Sequence, residues 1–458
     1  MSAGASRAPV IAEGLARGVT IARSRALPAA LRETCERMLI DIAGLAVAAR
    51  EADYVRAALS SWDAEGPCTA IGHARTLDAA GAAFVNGTAA HGEDYDDTFE
   101  GGPVHAGVVA IPAMLAAAER HRIPGPDLLL GIAVASEVMC RGSLVAPKRI
   151  HKAGFHPTAV LGAMGAAAGV AAALRLDDRT FASAQGIAGS MASGIIEYLA
   201  EGTSTKRMHP GWAAQAGLRA VALAQAGFDG PRTVWEGTHG FLHAFANTDE
   251  GHWDRLLDGF GERWVSETIA FKPYACGTMI HPYIDCARRL APKVPDASQV
   301  REIVCETAEG IVHRLWEPLA AKQRPPTAYA AKFSVPFCVA YGLTRGSVGL
   351  EAFTEENARD PRLLALASRV RYEVDPANPY PDAFTGHVRI VLADGRVLED
   401  RQGHFRGGRD DPLTRAEIEA KFRANAAHGG WTTQRGERWL EAARRAFDDG
   451  IDLEEFRA

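Results

Sequence analysis

Aromatic residues are scarce in this chain of 458 residues, at 7%, although 47% of it is hydrophobic. Its apolar content therefore rests on Ala and Gly, a composition that suits closely packed helices. Positive charge is not in excess either, with 50 Lys and Arg against 56 Asp and Glu and a net charge of -6. Without a basic stripe a nucleic-acid partner is not expected, and an anionic ligand has to find a local cluster of Lys, Arg and His. No two of the seven cysteines (Cys35, Cys68, Cys140, Cys276, Cys286, Cys305, Cys338) are spaced as CxxC. That excludes a disulfide frame and an Fe–S or zinc-knuckle site, and reads as reduced core thiols in a cytoplasmic protein. The N-terminal stretch MSAGASRAPVIAEGLARG has no signal-peptide h-region. One long uncharged run exists, residues 157–174. It is mostly Ala and Gly, lacks aromatic anchors and stands alone, so it reads as a buried helix and no membrane partner is expected. Internal repeats and low-complexity linkers are missing, and the length predicts two or more domains.

What is present centres on residues 85–107, VNGTAAHGEDYDDTFEGGPVHAG, between two apolar Ala-rich runs. Glu93, Asp94, Asp96 and Asp97 are bracketed there by His91 and His105. If the incoming helix continues, His91, Asp94 and Asp97 or Thr98 share one face, while Glu93 and Asp97 form a like-charge i,i+4 pair that weakens it. Crowded carboxylates repel, so at least one holds its proton more tightly unless cations answer it. A solvated acidic helix end is the competing reading, and the apolar flanks weigh against it.

Helical spacing runs from residue 28 to about 80, and again over 107–146 with a break at the Pro-Gly-Pro of 124–126. His156 and Pro157 open the next helix. Gly162, Gly165 and Gly169 on it predict close helix packing, since no strand precedes them as a nucleotide-binding motif requires. In GTSTKRMHPG, residues 202–211, Lys206 and Arg207 precede an apolar helix, which makes an anion-binding arrangement; a basic loop with a capped helix is the alternative. From about 270 the texture changes. Lys272 sits in an apolar turn, His281 starts a helix, REIVCETAEG reads as a strand and AYAAKFSVPFCVAYGL as a helix. RVRYEVDP and a hairpin turning at Asp394 and Gly395 follow. The last segment returns to amphipathic helix.

Five of these stretches, NGTAAHGEDYDDT, GFHPTAVLGAMGAAAG, GTSTKRMHPGWAAQAG, AFKPYACGTMIHPYIDCA and AAKFSVPFCVAYGL, occur in the order found in the MmgE/PrpD family, and the chain resembles that family from about residue 30 to 445. The family includes 2-methylcitrate dehydratase, cis-aconitate decarboxylase and iminodisuccinate epimerase. The resemblance implies a mainly α fold and a homodimer. The fold would comprise a large, discontinuous helical domain (1–270 and 404–458) and a smaller α+β lid domain (271–403). It implies an active site between the domains, with no metal or organic cofactor. By motif, the catalytic residues would be Asp94, His105, His156, Lys206 and Lys272. Thr98, His91, Arg207, His281 and Phe337 would contact a small anionic carboxylic acid. Two departures stand out: Phe337 replaces a tyrosine common in the AKFSxPY helix, and the acidic motif reads DYDD where dehydratases show DFND.

The family's reactions share the loss of a proton or of CO2 next to a carboxylate, with the resulting charge met by fixed cations. Lys206 and Lys272 are the expected clamps, and a histidine or an Asp the base. Dehydration is the leading expectation, ahead of epimerisation, with cis-aconitate decarboxylation third. A metal-dependent hydrolase using His91, Asp94 and His105 as ligands is a more distant alternative. A non-catalytic binding protein for an organic acid is more distant still.

Overall fold

The structure, a computed structural model, describes residues 10–457 and is mainly helical with small sheets. The part of the N-terminal stretch before Val10 lies outside the described residues. Contacts divide the chain into two compact units, Met1–Ile269 with Arg415–Ala458, and Ala270–Thr414.

The first unit runs through α1 (Ile11–Arg23), α2 (Ala29–Ala49), α3 (Asp53–Ser60), a short antiparallel pair β1 (Cys68–Thr69) and β2 (Thr76–Leu77), α4 (Ala79–His91) and β3 (Thr98–Phe99). It continues with α5 (Gly107–His121), α6 (Gly125–Val145), α7 (Arg149–Lys152), α8 (Pro157–Ala173), α9 (Asp178–Met191), α10 (Tyr198–Glu201), α11 (Thr205–Gln225), α12 (Phe241–Ala246) and α13 (Trp253–Leu257). The β1–β2 pair interrupts what helical spacing suggests as far as residue 80.

The uncharged run forms α8, buried along its whole length, as a helix apolar on every face must be. It packs on α5, α6, α9 and α11. Its glycines serve that contact: a Cβ on Gly165 would lie 2.7 Å from the Ala135 carbonyl oxygen of α6, and one on Gly162 would lie 2.9 Å from the Ala213 Cβ of α11. α6 is the one described helix long and apolar enough to cross a membrane, and it is buried inside this unit. α4 and α11 also meet backbone to backbone, where a Cβ on Gly87 would stand 2.6 Å from the Gly211 Cα. These crossings fix the register of the helices that carry the site.

The chain passes from the first unit to the second within β4 (Ile269–Ala270), and the second unit then holds α14 (His281–Leu290), β5 (Val300–Thr307), α15 (Glu309–Leu315), α16 (Leu319–Gln323), α17 (Ala328–Ala331), α18 (Val335–Arg345), α19 (Pro361–Ala367), β6 (Val370–Val374), β7 (Gly386–Leu392) and β8 (Val397–Gln402). Its sheet has the order β6-β5-β7-β8, with β5 parallel to β6 and antiparallel to β7. α14 covers β7 and β8, and α18 packs on α14. The β7–β8 hairpin turns through Gly395 at φ 89°, a left-handed position glycine takes without strain. The single helix expected over AYAAKFSVPFCVAYGL is two. The first ends at Ala331, and Ser334 caps α18 by accepting from the Phe337 N–H at 3.0 Å, with Pro336 in its first turn. α20 (Arg415–His428) and α21 (Thr433–Asp449) belong to the first unit, packed on α2 and α6.

Candidate active site

α4 delivers His91 and stops there. Gly92 follows, and Asp94 adopts φ 55°, a left-handed conformation that Asp tolerates better than most side chains. The helix face expected through Thr98 is therefore not formed, and Thr98 lies half-buried in β3. Asp94, Asp96 and Asp97 are buried, so the solvated acidic end is not what this stretch makes. Each carboxylate has its own partner instead. Glu93 accepts from the Tyr54 hydroxyl at 3.0 Å, and Asp94 accepts from Lys206 Nζ at 3.0 Å. Asp96 Oδ2 faces His91 Nδ1 at 2.9 Å and His105 Nδ1 at 3.3 Å. Asp97 accepts the Ala106 and Gly107 N–H groups at 3.0 Å, tying the loop to the positive end of α5.

His105 is held at three points. Its N–H donates to Thr158 Oγ1 at 3.1 Å, and its Nδ1–H donates to the Asp97 carbonyl at 2.7 Å and lies beside Asp96. His156 is the N-cap of α8, ahead of Pro157, and its N–H donates to the Gly194 carbonyl at 2.8 Å. Its Nδ1 lies 3.2 Å from His209 Nδ1, so those two imidazoles share one proton. α11 begins at Thr205, earlier than its apolar run suggests, which puts Lys206, Arg207 and His209 in its first turns. Cations there oppose the helix dipole. Lys206 is answered by Asp94, while Arg207 donates to the Gly92 carbonyl at 3.1 Å and stacks 4.5 Å from the Tyr54 ring centroid.

Four imidazoles thus gather beside one ion pair. Ring centroids are 5.1 Å apart for His91 and His105, 5.8 Å for His91 and His156, and 5.3 Å for His156 and His209. Burial holds His156 well below the usual histidine range, helped by His91, Lys206, His209 and His105. Burial, then His91 and Lys206, lower His209 to about 4. Both rings are neutral at neutral pH. Burial and then Asp96 push Asp97 up to about 7, against the pull of the Gly107 and Ala106 amides.

His91, Asp96 and His105 place one ligand atom each within 4.8 Å of one another, close enough to hold a divalent cation. Asp96 takes the place in that trio that sequence spacing gives to Asp94. The hydrogen bonds among the three already account for their arrangement.

His91, Asp94, His105, His156, Lys206 and Arg207 therefore come together in the first unit. Lys272, His281 and Phe337 belong to the second. Lys272 is 2% exposed, just after β4. His281 is buried at the start of α14, donates Nε2–H to the Cys276 carbonyl at 3.2 Å, and packs against Tyr274 and Phe405. Phe337 is buried in α18 between Tyr341 and Phe353. Sequence reasoning missed Asp96 and His209. His209 had a signal: it falls three residues after Lys206, hence on the same face of α11.

Two sequence profiles match the chain, the MmgE/PrpD N-terminal domain over residues 13–254 and the MmgE/PrpD C-terminal domain over residues 274–445. Among curated proteins, a cis-aconitate decarboxylase-like protein of Aspergillus oryzae is 27% identical over 90% of both chains. Cis-aconitate decarboxylase of Mus musculus is 30% identical over 76% of this chain and 71% of its own length. That of Aspergillus terreus is 28% identical over 87% of this chain and 86% of its own.

Proposed function

The chain belongs to the MmgE/PrpD family, and from that premise we propose that it is a lyase of a small di- or tricarboxylic acid. It removes a proton from the carbon next to a carboxylate and eliminates water. The observation that carries this reading is a set of imidazoles able to take a proton beside one half-buried ammonium. Lys206 offers a fixed cation for a substrate carboxylate, where charge grows as the carbon loses its proton. His105 gives its Nδ1–H to a carbonyl, which can only accept, so Nε2 carries the lone pair. The C–H electron pair becomes the double bond as the C–O pair leaves with the hydroxyl. The proton that His105 took departs with it as water.

A second reading, decarboxylation of an unsaturated tricarboxylic acid, is favoured by the names of the curated relatives. Decarboxylation has to return a proton to carbon, and imidazoles held neutral like His156 and His209 are poor acids. Dehydration is the reading we put first, and the neutral pair is what supports that order. The test is NMR of the purified protein in D2O with citrate, 2-methylcitrate, cis-aconitate and an aspartate-derived acid. Alkene formation from a hydroxy acid is expected. Efficient itaconate formation from cis-aconitate would reverse the ranking. Neither turnover nor deuterium exchange with any acid would overturn the lyase reading.

A further inference from the structure

The C-terminal helix α20 reaches back to the acidic loop that follows α4. Its Lys421, with a side chain 4% exposed, places Nζ 2.8 Å from Asp41 Oδ1 of α2. The same ammonium donates to the Tyr95 carbonyl, 326 residues earlier in the chain, at 2.7 Å, and lies 3.9 Å from the Tyr95 ring centroid. Asp41 is fully buried. The attraction within such a pair is offset by the hydration both groups give up, so stability alone is a poor reason for it. The two helices that carry the charges cross closely, since a Cβ on Gly44 of α2 would lie 2.9 Å from Phe422 Cδ2 of α20. Lys421 therefore stands on a packed helix pair.

The neighbours of Tyr95 are tied to other helices: Glu93 to Tyr54 of α3, Asp94 to Lys206 of α11, and Asp97 to the first amides of α5. Tyr95 stands between Asp94 and Asp96, and Lys421 holds both its carbonyl and its ring. We infer that Lys421 is a positioning residue for this loop. It fixes the peptide that joins Tyr95 to Asp96, just past the left-handed turn at Asp94, and so sets where Asp94 and Asp96 present their carboxylates. Asp41 is the counter-charge that lets an ammonium stay buried there. The two roles separate: Asp41 answers the charge, and Lys421 holds the loop. The effect on rate rests on the proton-abstraction reading above; the effect on the loop does not.

Two variants separate the roles. Asp41→Asn keeps the shape and leaves Lys421 on Tyr95, so it should melt at lower temperature and keep a kcat close to wild type. Lys421→Met combined with Asp41→Asn removes both charges together, so neither is left buried alone. Its kcat should fall about 100-fold with KM little changed, the size expected when reacting groups are misplaced by about 1 Å. In the same double variant the Asp94 amide, which donates to the His91 carbonyl at 3.2 Å, should exchange with deuterium faster, while the amides of α8 keep their wild-type protection. A double variant with wild-type kcat and wild-type exchange at Asp94 would overturn the proposal and leave the pair a structural one. So would an Asp41→Asn variant that loses as much kcat as the double. Should the double variant not fold, Tyr95→Leu takes the ring off the ammonium with both charges in place; the same two readouts should move the same way by less, and wild-type values would again overturn it. If no acid on the panel is turned over, the lyase reading fails by itself, and amide exchange alone decides this one.

Discussion

Buried histidines are wired differently in the two units. In the second, His281 gives its Nε2–H to the Cys276 carbonyl, and among aromatic rings its Nδ1 has no hydrogen-bond partner. His387 accepts the Glu306 N–H at Nδ1 and gives Nε2–H to Glu399 at 3.0 Å, so the sheet uses both nitrogens. In the first unit the rings bond to a shared carboxylate and to each other. His91 commits Nδ1 to Asp96, and its Nε2 has no hydrogen-bond partner. Burial is common to both groups and does not separate them. What separates them is what the bonded nitrogens face: a backbone carbonyl or the groups of the sheet in the second unit, a shared carboxylate and other imidazoles in the first.

The strongest way to break the contrast is Lys206→Met. It should lower kcat/KM about 10- to 100-fold, the worth of one charged hydrogen bond. It also removes the ammonium that answers Asp94, whose side chain is only 7% exposed, so stability should fall by about 1–3 kcal/mol, the cost of a carboxylate that loses a charged hydrogen bond. Adding Asp94→Asn should restore stability in urea unfolding and leave activity low. Unchanged kinetics in Lys206→Met would reduce the pair to a helix-capping contact.

Acid stability sharpens it next. His209 titrates in the folded protein at about 4 against an ordinary 6.5. Between those values the unfolded chain binds a proton that the folded one refuses, so stability falls as pH drops through that window, by roughly 3 kcal/mol, and no further below it. Asp97 works the other way. The folded state keeps its proton from its ordinary 3.8 up to about 7, so acidification through that range is stabilising. His209→Gln should therefore lose less stability than wild type between pH 7 and pH 4 in urea titrations, by roughly 3 kcal/mol. Equal losses would mean that His209 is protonated in the folded state.

The smallest effect is expected in the second unit. Phe337→Tyr puts a hydroxyl into a fully buried ring cluster and should cost about 1–3 kcal/mol, without raising dehydration. A large gain in activity would return position 337 to the chemistry.

How much of this the sequence displays depends on the kind of signal. Period and punctuation were readable: the break before α6, the Pro157 start of α8, the close-packed glycines of α8, and the Gly395 hairpin. So were the motifs that place His91, Asp94, His105, His156 and Lys206 in one region. The turn after His91 was not, because whether a helix ends at Gly92 is decided by tertiary partners for Glu93, Asp94, Asp96 and Asp97 lying far along the chain. Asp96 could not be told from Asp94 for the same reason, since one step in a left-handed turn reassigns each carboxylate. The early start of α11 was masked by its basic residues, which are poor first-turn residues until Asp94 and the Tyr54 ring answer them.

The bare crossing of α4 and α11 has a consequence for how such a site changes over evolutionary time. At Gly87 and Gly211 the two backbones touch with no side chain between them, and a methyl on Gly211 would run into the Phe84 carbonyl. A contact of that kind has no adjustable spacer, so neither helix can slip to widen the site without losing the crossing altogether. His91 rides on one of these helices, and Lys206 and His209 on the other. Their mutual placement is inherited as a unit. A descendant that took a longer or differently branched acid would have to find its room in residues 92–106 and 192–204, the loops that turn Asp94, Asp96 and His105 inward and hold the N–H of His156. Novelty in this enzyme would be written in those loops, on a frame that cannot be edited a little at a time.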